Sequence, residues 1–389
     1  MKITFYSNFL NHYQKPFCDE MVRHSAADFT FVSTEMAPEE RLQMGFQDYT
    51  NCAYNLTAYT SQANYNRALQ LGIDSDIVII GAAPDIFIEK RLRQNKHTFR
   101  YSERYFKRGR WQVFDPRMLL FLYRCHAKYR RKNLYMLCAS AYVANDLSWV
   151  FAYPHKKFKW GYFPSINELN IEIIIANKPA ERVELLWVGR FLDWKHPEMA
   201  VQLAGKLKQK GYNFHLNMIG IGPMADIVQQ LIHKLNVADR VSILGGVSNT
   251  TVIDYMRQSH IFLFTSDRNE GWGAVLSEAM SNGCAAIASH AIGSAPFLIK
   301  HQQNGLIFES GDSSDLFRQA ERLILDEAIR NRLILNAYNT IKNEWSPEKT
   351  ARNFQHLAKS ILEGQKVTID SGPCSEAKKT RRNYWKTGC

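Results

Sequence analysis

Short, nearly continuous apolar runs recur through the second half of the chain: VELLWV at 183–188, FHLNMI at 214–219, VSIL at 241–244, IFLFT at 261–265 and CAAIAS at 284–289. The segments between them have helical length and period. In 197–208, Met199, Ala200, Leu203, Ala204 and Leu207 fall on one face, and in 224–235 Ile227, Leu231 and Leu235 do the same. Continuous apolar strands alternating with amphipathic helices predict a parallel sheet covered on both faces and joined by right-handed crossovers. The first half alternates less regularly. KITFY at 2–6, FTFVS at 29–33, DIVII at 76–80 and LYMLC at 134–138 read as strands, with 64–71 among the helices, and they predict a second α/β domain.

These patterns divide the chain into a first domain over 1–165, a linker over 166–182 that lacks clear helical period, and a second domain over 183–346. Ser346 and Pro347 have the form of a helix cap and first turn, so one more helix is expected over 347–363, packing back on the first domain. Residues 364–389 are polar and basic and are expected to be a disordered tail.

A length of 389 residues with 46% hydrophobic content suits two domains with their own cores. No run approaches the roughly 20 apolar residues of a membrane-spanning helix. The opening MKITFYSNFL reads as a first strand and not as a signal peptide, which makes a cytoplasmic location the default. Seven cysteines (Cys18, Cys52, Cys125, Cys138, Cys284, Cys374 and Cys389) are scattered without a C-x-x-C pair, arguing against both a disulfide framework and a zinc site. The formal charge of +12 favours an anionic partner: nucleic acid, nucleotide phosphates or an acidic lipid surface. The excess gathers in 91–110, in KYRRK at 128–132 and in the tail AKKTRRNYWK at 377–386. The tail's cations flank Tyr384 and Trp385, a combination that suits peripheral contact with an anionic inner membrane face. A solvated basic surface is the plainer reading of each cluster.

In doubly wound sheets ligands bind outside the carboxyl ends of the strands, and that rule selects the chemistry. After IFLFT comes SDRNEGWG, and the stretch NEGWGAVLSEAM at 269–280 holds Glu270 and Glu278, with Gly271, Trp272 and Gly273 following the first acid. Carboxylates accept hydrogen bonds from hydroxyls, and glycines let a ligand approach the backbone. After VELLWV comes GRFLDWKHP, where Gly189 permits a turn and Arg190 and Lys195 supply a donor fork and a point charge suited to a diphosphate. Gly220 and Gly222 follow FHLNMI, and GGVSN follows VSIL. Each feature alone is weak, since acids near a helix start gain from its dipole and surface cations are ordinary. Four successive strand ends carrying glycine, cation or acid weigh more than any one.

Over about 187–345 these residues resemble the retaining glycosyltransferases of family 4, through the E-x7-E motif from Glu270 to Glu278, the Gly189-Arg190 pair with Lys195, and the Gly220-x-Gly222-Pro223 turn. The resemblance implies a GT-B-like α/β fold, two Rossmann-like doubly wound domains facing across a cleft. It implies an enzyme that moves a sugar from a nucleotide diphosphate sugar, UDP- or GDP-linked, to a hydroxyl acceptor such as a growing glycan or a lipid-linked sugar, with retention at the anomeric carbon. In that family an Arg and a Lys bind the donor diphosphate, the first Glu meets the transferred sugar and the second binds the ribose. Those roles fall on Arg190, Lys195, Glu270 and Glu278. Gly189, Gly222, Gly271, Trp272 and Gly273 then border the donor, and the loop ending at Val247 reads the base. No metal or other cofactor is implied.

The first domain departs from the family pattern. Many members carry a glycine pair after the first strand, where this chain has SNFLNHYQKPF with Asn8, His12 and Gln14 as polar candidates. The family often places a polar side chain of this domain beside the reacting sugar. Glu103 in FRYSERYFKRGRW is the candidate, with a surface ion pair to Arg100 or Arg104 as its plainer reading. Asp74 and Asp76 have the D-x-D spacing of a metal motif but precede DIVII, at the amino end of a strand and away from the expected site. Two other classes remain open: a nucleotide-sugar epimerase or hydrolase, and a nucleic-acid-binding protein. The latter predicts aromatics interleaved with cation runs, of which KYRRKNLY is a weak version, so no specific nucleic acid is expected.

Overall fold

Every pairing between named strands is parallel, in two separate sheets. The structure, a computed structural model, describes residues 1–24, 28–39 and 47–386. Among these, the first sheet comprises β1 (Lys2–Ser7), β2 (Asp28–Ser33), β3 (Asn55–Thr57), β4 (Ile77–Ile80), β5 (Thr98–Ser102), β6 (Leu134–Cys138) and β7 (Lys157–Lys159), in the order β3-β2-β1-β4-β5-β6-β7. The second comprises β8 (Val183–Val188), β9 (Phe214–Ile219), β10 (Val241–Gly245), β11 (Ile261–Phe264), β12 (Ala285–Ser289) and β13 (Leu306–Phe308), in the order β10-β9-β8-β11-β12-β13. Both are doubly wound. The strand order reverses between β1 and β4 in one sheet and between β8 and β11 in the other, which fixes where each should receive a ligand.

The chain divides into two compact units, one of Met1–Ser165 with Glu344–Thr380, the other of Ile166–Asn343 with Arg381 onward. In the second unit Leu185, Leu216, Leu263 and Ile287 are buried, under helices that contribute Leu203, Val228 and Leu316. In the first unit Ile3, Phe5, Ile79, Phe99 and Met136 are buried.

Three boundaries differ from the sequence reading. Residues 166–182 are not a linker but part of the second unit. They carry the helix Ile171–Ala176, whose Ile171 is buried in that unit's core. Six residues are fewer than two turns, too few to display a helical period. The second unit ends at Asn343 and not at 346, and Trp345 is buried in the first unit. The helix expected over 347–363 spans Pro347–Leu362, capped by Ser346 Oγ accepting from Lys349 N at 3.2 Å. It packs on the helix Lys15–Arg23, and Phe354 meets Phe17 and Phe99 edge-on.

The segment after this helix is ordered where the sequence predicts disorder. Cys374 N donates to Lys159 O, Lys159 N to Ser375 O and Ala377 N to Lys157 O, so the segment pairs antiparallel with β7 and closes the open edge of the first sheet. Cys374 and Ala377 of this segment are buried. Backbone pairing holds this segment, and backbone pairing leaves no mark in a polar composition. Further on, Trp385 is only 6% exposed and stacks on His290 with ring centroids 4.3 Å apart, while Lys386 Nζ lies 2.8 Å from Glu309 Oε2. Cys389, read above as one of the scattered thiols, lies outside the described residues.

Candidate active site

The carboxyl-end loops of the second sheet are sewn to one another by backbone. Gly189 N donates to Ile219 O, Phe191 N to Ile221 O, and Gly220 N to Gly245 O, at 2.8–3.0 Å. The glycines make this approach feasible. Gly220 has φ +144°, and a Cβ there would sit 1.9 Å from Gly189 O; Gly222 has φ +154°, with Phe191 O 2.5 Å from a Cβ. No side chain fits either place, so the GIGP sequence after β9 is required by the neighbouring loop as well as by any ligand.

Lys195 and Glu270 meet at the switch point. Their loops follow β8 and β11, the strands between which the order reverses, and Lys195 Nζ donates to Glu270 Oε2 at 2.6 Å. The two side chains are 12% and 11% exposed, and Ser266 Oγ donates to the same carboxylate oxygen at 3.0 Å. Thr265 Oγ1 donates to Lys195 O at 2.7 Å and accepts from Trp187 Nε1 at 2.9 Å, while Asp267 N donates to Trp194 O. Backbone and buried side chains of both loops thereby set the position of the ion pair. Gly273, at φ +82°, folds the chain over Phe264, whose ring would lie 2.6 Å from a Cβ.

Other members of the predicted set surround this pair with differing exposure. Arg190 is exposed and makes no ion pair with the described residues. Val247 is half-buried, and Gly271 and Trp272 are buried. Glu278 is buried on the helix Val275–Ser281, which ends where Asn282 Nδ2 donates to Glu278 O.

His196 was not singled out by the sequence reading. It follows Lys195 in left-handed backbone, with Nε2 3.7 Å from Asp267 Oδ2 and Nδ1 2.8 Å from Glu198 Oε1. Asp267 first and Glu198 second push its pKa up to about 9. A histidine between a lysine and a helix-opening proline was the available signal. Ser266 and Thr265 were missed in the same way, although both lie within the quoted run.

In the first unit the polar candidates gather at the carboxyl ends of β1 and β5. Ser7 Oγ donates to Asn8 Oδ1 at 3.1 Å and accepts from Gln14 Nε2 at 3.3 Å, and Gln14 Nε2 also lies 3.5 Å from the Tyr101 hydroxyl. The Tyr162 hydroxyl donates to Glu103 Oε1 at 2.7 Å. Tyr13 stacks on Tyr162 and touches the His12 ring. Asn8, His12, Gln14 and Glu103 thus belong to one aromatic and polar cluster, in which burial pushes the Tyr101 pKa up to about 12. The charged partner of Glu103 is Lys107, at 2.7 Å, and neither Arg100 nor Arg104. Arg100 instead holds Asp85 through two bonds, and Arg104 lies over the Tyr142 ring.

Asp74 and Asp76 are structural. Asp74 accepts from Gln70, and Asp76 Oδ2 accepts from Lys2 N at 2.7 Å at the amino end of β4. The buried Arg91 guanidinium donates to the carbonyls of Ser75, Asp76 and His97 beside them. Among the described residues no three His, Cys, Asp or Glu side chains gather in a way that could hold a metal ion.

A doubly wound α/β domain receives its ligand at the switch point, which here carries the Lys195–Glu270 pair. Residues 171–340 match the family model of glycosyl transferases group 1. The N-acetyl-alpha-D-glucosaminyl L-malate synthase of Bacillus anthracis is 28% identical over 182 residues, 47% of this chain and 46% of that protein. The N-acetylgalactosamine-N,N'-diacetylbacillosaminyl-diphospho-undecaprenol 4-alpha-N-acetylgalactosaminyltransferase of Campylobacter jejuni is 25% identical over 271 residues, 67% of this chain and 69% of that protein. The match therefore spans about half the length of the first relative and about two thirds of the second. Among solved structures, HepE of Anabaena in complex with UDP and glucose superposes with a TM-score of 0.63 at 14% identity, covering 92% of this chain and 100% of that one. Sucrose-phosphate synthase of Thermosynechococcus elongatus gives 0.65 at 16% identity, covering 94% and 100%. These likenesses show that the fold is GT-B.

Proposed function

We propose that this protein is a retaining glycosyltransferase. It moves a sugar from a UDP- or GDP-sugar to a hydroxyl on a growing glycan or a lipid-linked sugar. The observation that carries the reading is the 2.6 Å pairing of Lys195 with Glu270 across the two loops of the switch point, beside the exposed and unpaired Arg190. An ammonium has three donors, so Lys195 can hold Glu270 and still donate to a diphosphate oxygen. Arg190 adds a planar fork for the same group. As the glycosidic bond breaks the diphosphate gains charge, and fixed cations placed beforehand stabilise that charge without reorganising.

Glu270, oriented by Lys195 and Ser266, accepts hydroxyls of the transferred sugar, and Glu278 accepts from the ribose. The backbone around Val247 reads the base, while Gly189, Gly222, Gly271, Trp272 and Gly273 give the donor its close backbone contacts. No resident metal is invoked, because the two cations supply the counter-charge. The Anabaena neighbour holds UDP and glucose, and the Campylobacter relative is named as acting on an undecaprenol-linked diphospho-sugar, which supports the donor and acceptor classes. Asn8, His12, Gln14 and Glu103 serve the acceptor side of the reaction. The nucleotide-sugar epimerase or hydrolase reading predicts donor turnover without any acceptor.

A thermal-stabilisation screen with UDP, GDP, ADP and their sugars identifies the donor, since a ligand that binds only the folded state raises its stability. Proton NMR of the product formed from that donor in excess EDTA then reads reaction and stereochemistry together. Retention with undiminished turnover is expected. Inversion, or loss of activity restored by Mn²⁺, would sink the proposal.

A further inference from the structure

Trp385 is unavailable for the membrane contact the sequence suggests of the tail, because it is buried on His290, and Lys386 is paired with Glu309. Cations and exposed aromatics stand together elsewhere, in the first unit. The short helical turn Arg110–Phe114 leads into the helix Pro116–Cys125, and in that helix Leu122 alone is buried. At about 100° per residue, Leu120 and Tyr123 lie opposite Met118 and Leu122, with Leu119 and Phe121 on the flanks. All four of Leu119, Leu120, Phe121 and Tyr123 are exposed, as are Trp111 at 60% and Phe114 at 81%. The loop carrying Tyr153, whose hydroxyl is bonded to His126 Nδ1 just after this helix, exposes Trp149 and Phe151 as well.

Charge surrounds the same patch. Residues 104–132 hold ten lysines and arginines against a single acid, Asp115. Asp115 is committed to the helix cap, its Oδ1 accepting from Arg117 N at 2.9 Å. Among the described residues Arg108, Arg117, Arg124, Arg130 and Arg131 are exposed and make no ion pair. Large exposed apolar side chains in a contiguous stretch mark an interaction surface, and the cores of protein interfaces are poor in charge. An apolar face fringed by unpaired cations complements an anionic bilayer, where rings and leucines enter the headgroup boundary and the cations meet lipid phosphates.

We infer that the 108–131 face docks on an anionic lipid bilayer as an interfacial amphipathic element. It does not span, since among the described residues no helix is long and apolar enough to cross a membrane. The inference stands apart from the donor chemistry, and its test needs no nucleotide sugar. The full chain is sedimented with phosphatidylcholine vesicles and with vesicles of phosphatidylcholine and phosphatidylglycerol, at low and high salt. Binding to the anionic vesicles alone, weakened by salt, is expected.

Trp111→Ser with Phe114→Ser, and separately Arg117→Glu with Arg131→Glu, should each lower that partition at least about tenfold. Both pairs should keep the parental circular dichroism and melting, because all four side chains are exposed. Neutralising the tail by Lys378→Gln, Lys379→Gln, Arg381→Gln and Arg382→Gln should change little. Equal binding by the folded Trp111→Ser, Phe114→Ser variant would overturn the inference. So would a self-association that this variant abolishes in a chain showing no affinity for vesicles.

Discussion

Glu270 Oε2 accepts two hydrogen bonds at once, from Lys195 Nζ at 2.6 Å and from Ser266 Oγ at 3.0 Å. The acid is thus held by its own loop and by the neighbouring one. Removing Lys195 leaves a nearly buried carboxylate held by the Ser266 hydroxyl and without its cation. Lys195→Met should destabilise the chain by on the order of 3 kcal/mol, and Lys195→Met with Glu270→Gln by less than the sum of the two single changes. Chemical denaturation of the four proteins checks this. Simple additivity would mean that the pair is not coupled.

The two acids separate in kinetics. Glu270 faces the sugar in the proposed site, where charge develops, so Glu270→Gln should lower kcat strongly and alter donor affinity little. Glu278 is assigned to the ribose, which does not change during reaction. Glu278→Gln should raise KM and leave kcat nearly intact, the signature of uniform binding. Steady-state rates over a range of donor concentrations decide, and the opposite pattern would reverse the two roles.

Gly220→Ala tests whether the strand-end loops must touch. A Cβ there would meet Gly189 O at 1.9 Å, backbone against backbone at φ +144°, so no side-chain adjustment relieves the clash. A loss of at least about 2 kcal/mol is expected, together with weakened donor binding. Gly245→Ala is the control. Its φ of +70° carries strain, but a Cβ there has nothing within 4 Å, so the cost should be near 1 kcal/mol, of the order of left-handed strain alone.

Much of this site was legible because residue type and strand position coincide. Lys195 and Glu270 each follow a continuous apolar run, and the parallel-sheet rule points to just those loops. What was not legible depends on distant partners. The sequence offers Glu103 an ion pair with Arg100 or Arg104, whereas its cation is Lys107, four residues on, and it also accepts from Tyr162, 59 residues away, a bond no local reading shows. Helix faces shifted by one residue for a related reason. Ile227 is exposed, and Val228 with Ile232 forms the buried row, because a mixed apolar helix allows either register until its packing partner is known. β3, β7 and β13 have three residues each, too few to show a pattern.

His196 gives the site a pH dependence. Its pKa of about 9 lies above the ordinary 6.5, so the charged ring stabilises the folded chain fully below pH 6.5, and that contribution is lost as the pH rises through about 9. The melting temperature of the parent minus that of His196→Gln should therefore shrink between about pH 6.5 and pH 10. A difference that stays constant across this range would mean that Asp267 and Glu198 do not hold the ring protonated.

The central claim is that the edge carrying Arg190, Lys195 and Glu270 binds a nucleoside diphosphate joined to a sugar. Titration calorimetry with the free diphosphates UDP and GDP tests it without requiring the acceptor. One of the two should bind the parent, and Arg190→Ala and Lys195→Ala should each weaken that binding by at least about tenfold, the loss of one charge-assisted contact. Glu270→Gln should bind the free diphosphate nearly as the parent does, because the sugar that Glu270 addresses is missing. Parental affinity in the two cation variants, or no binding of either diphosphate to the folded parent, would contradict the account.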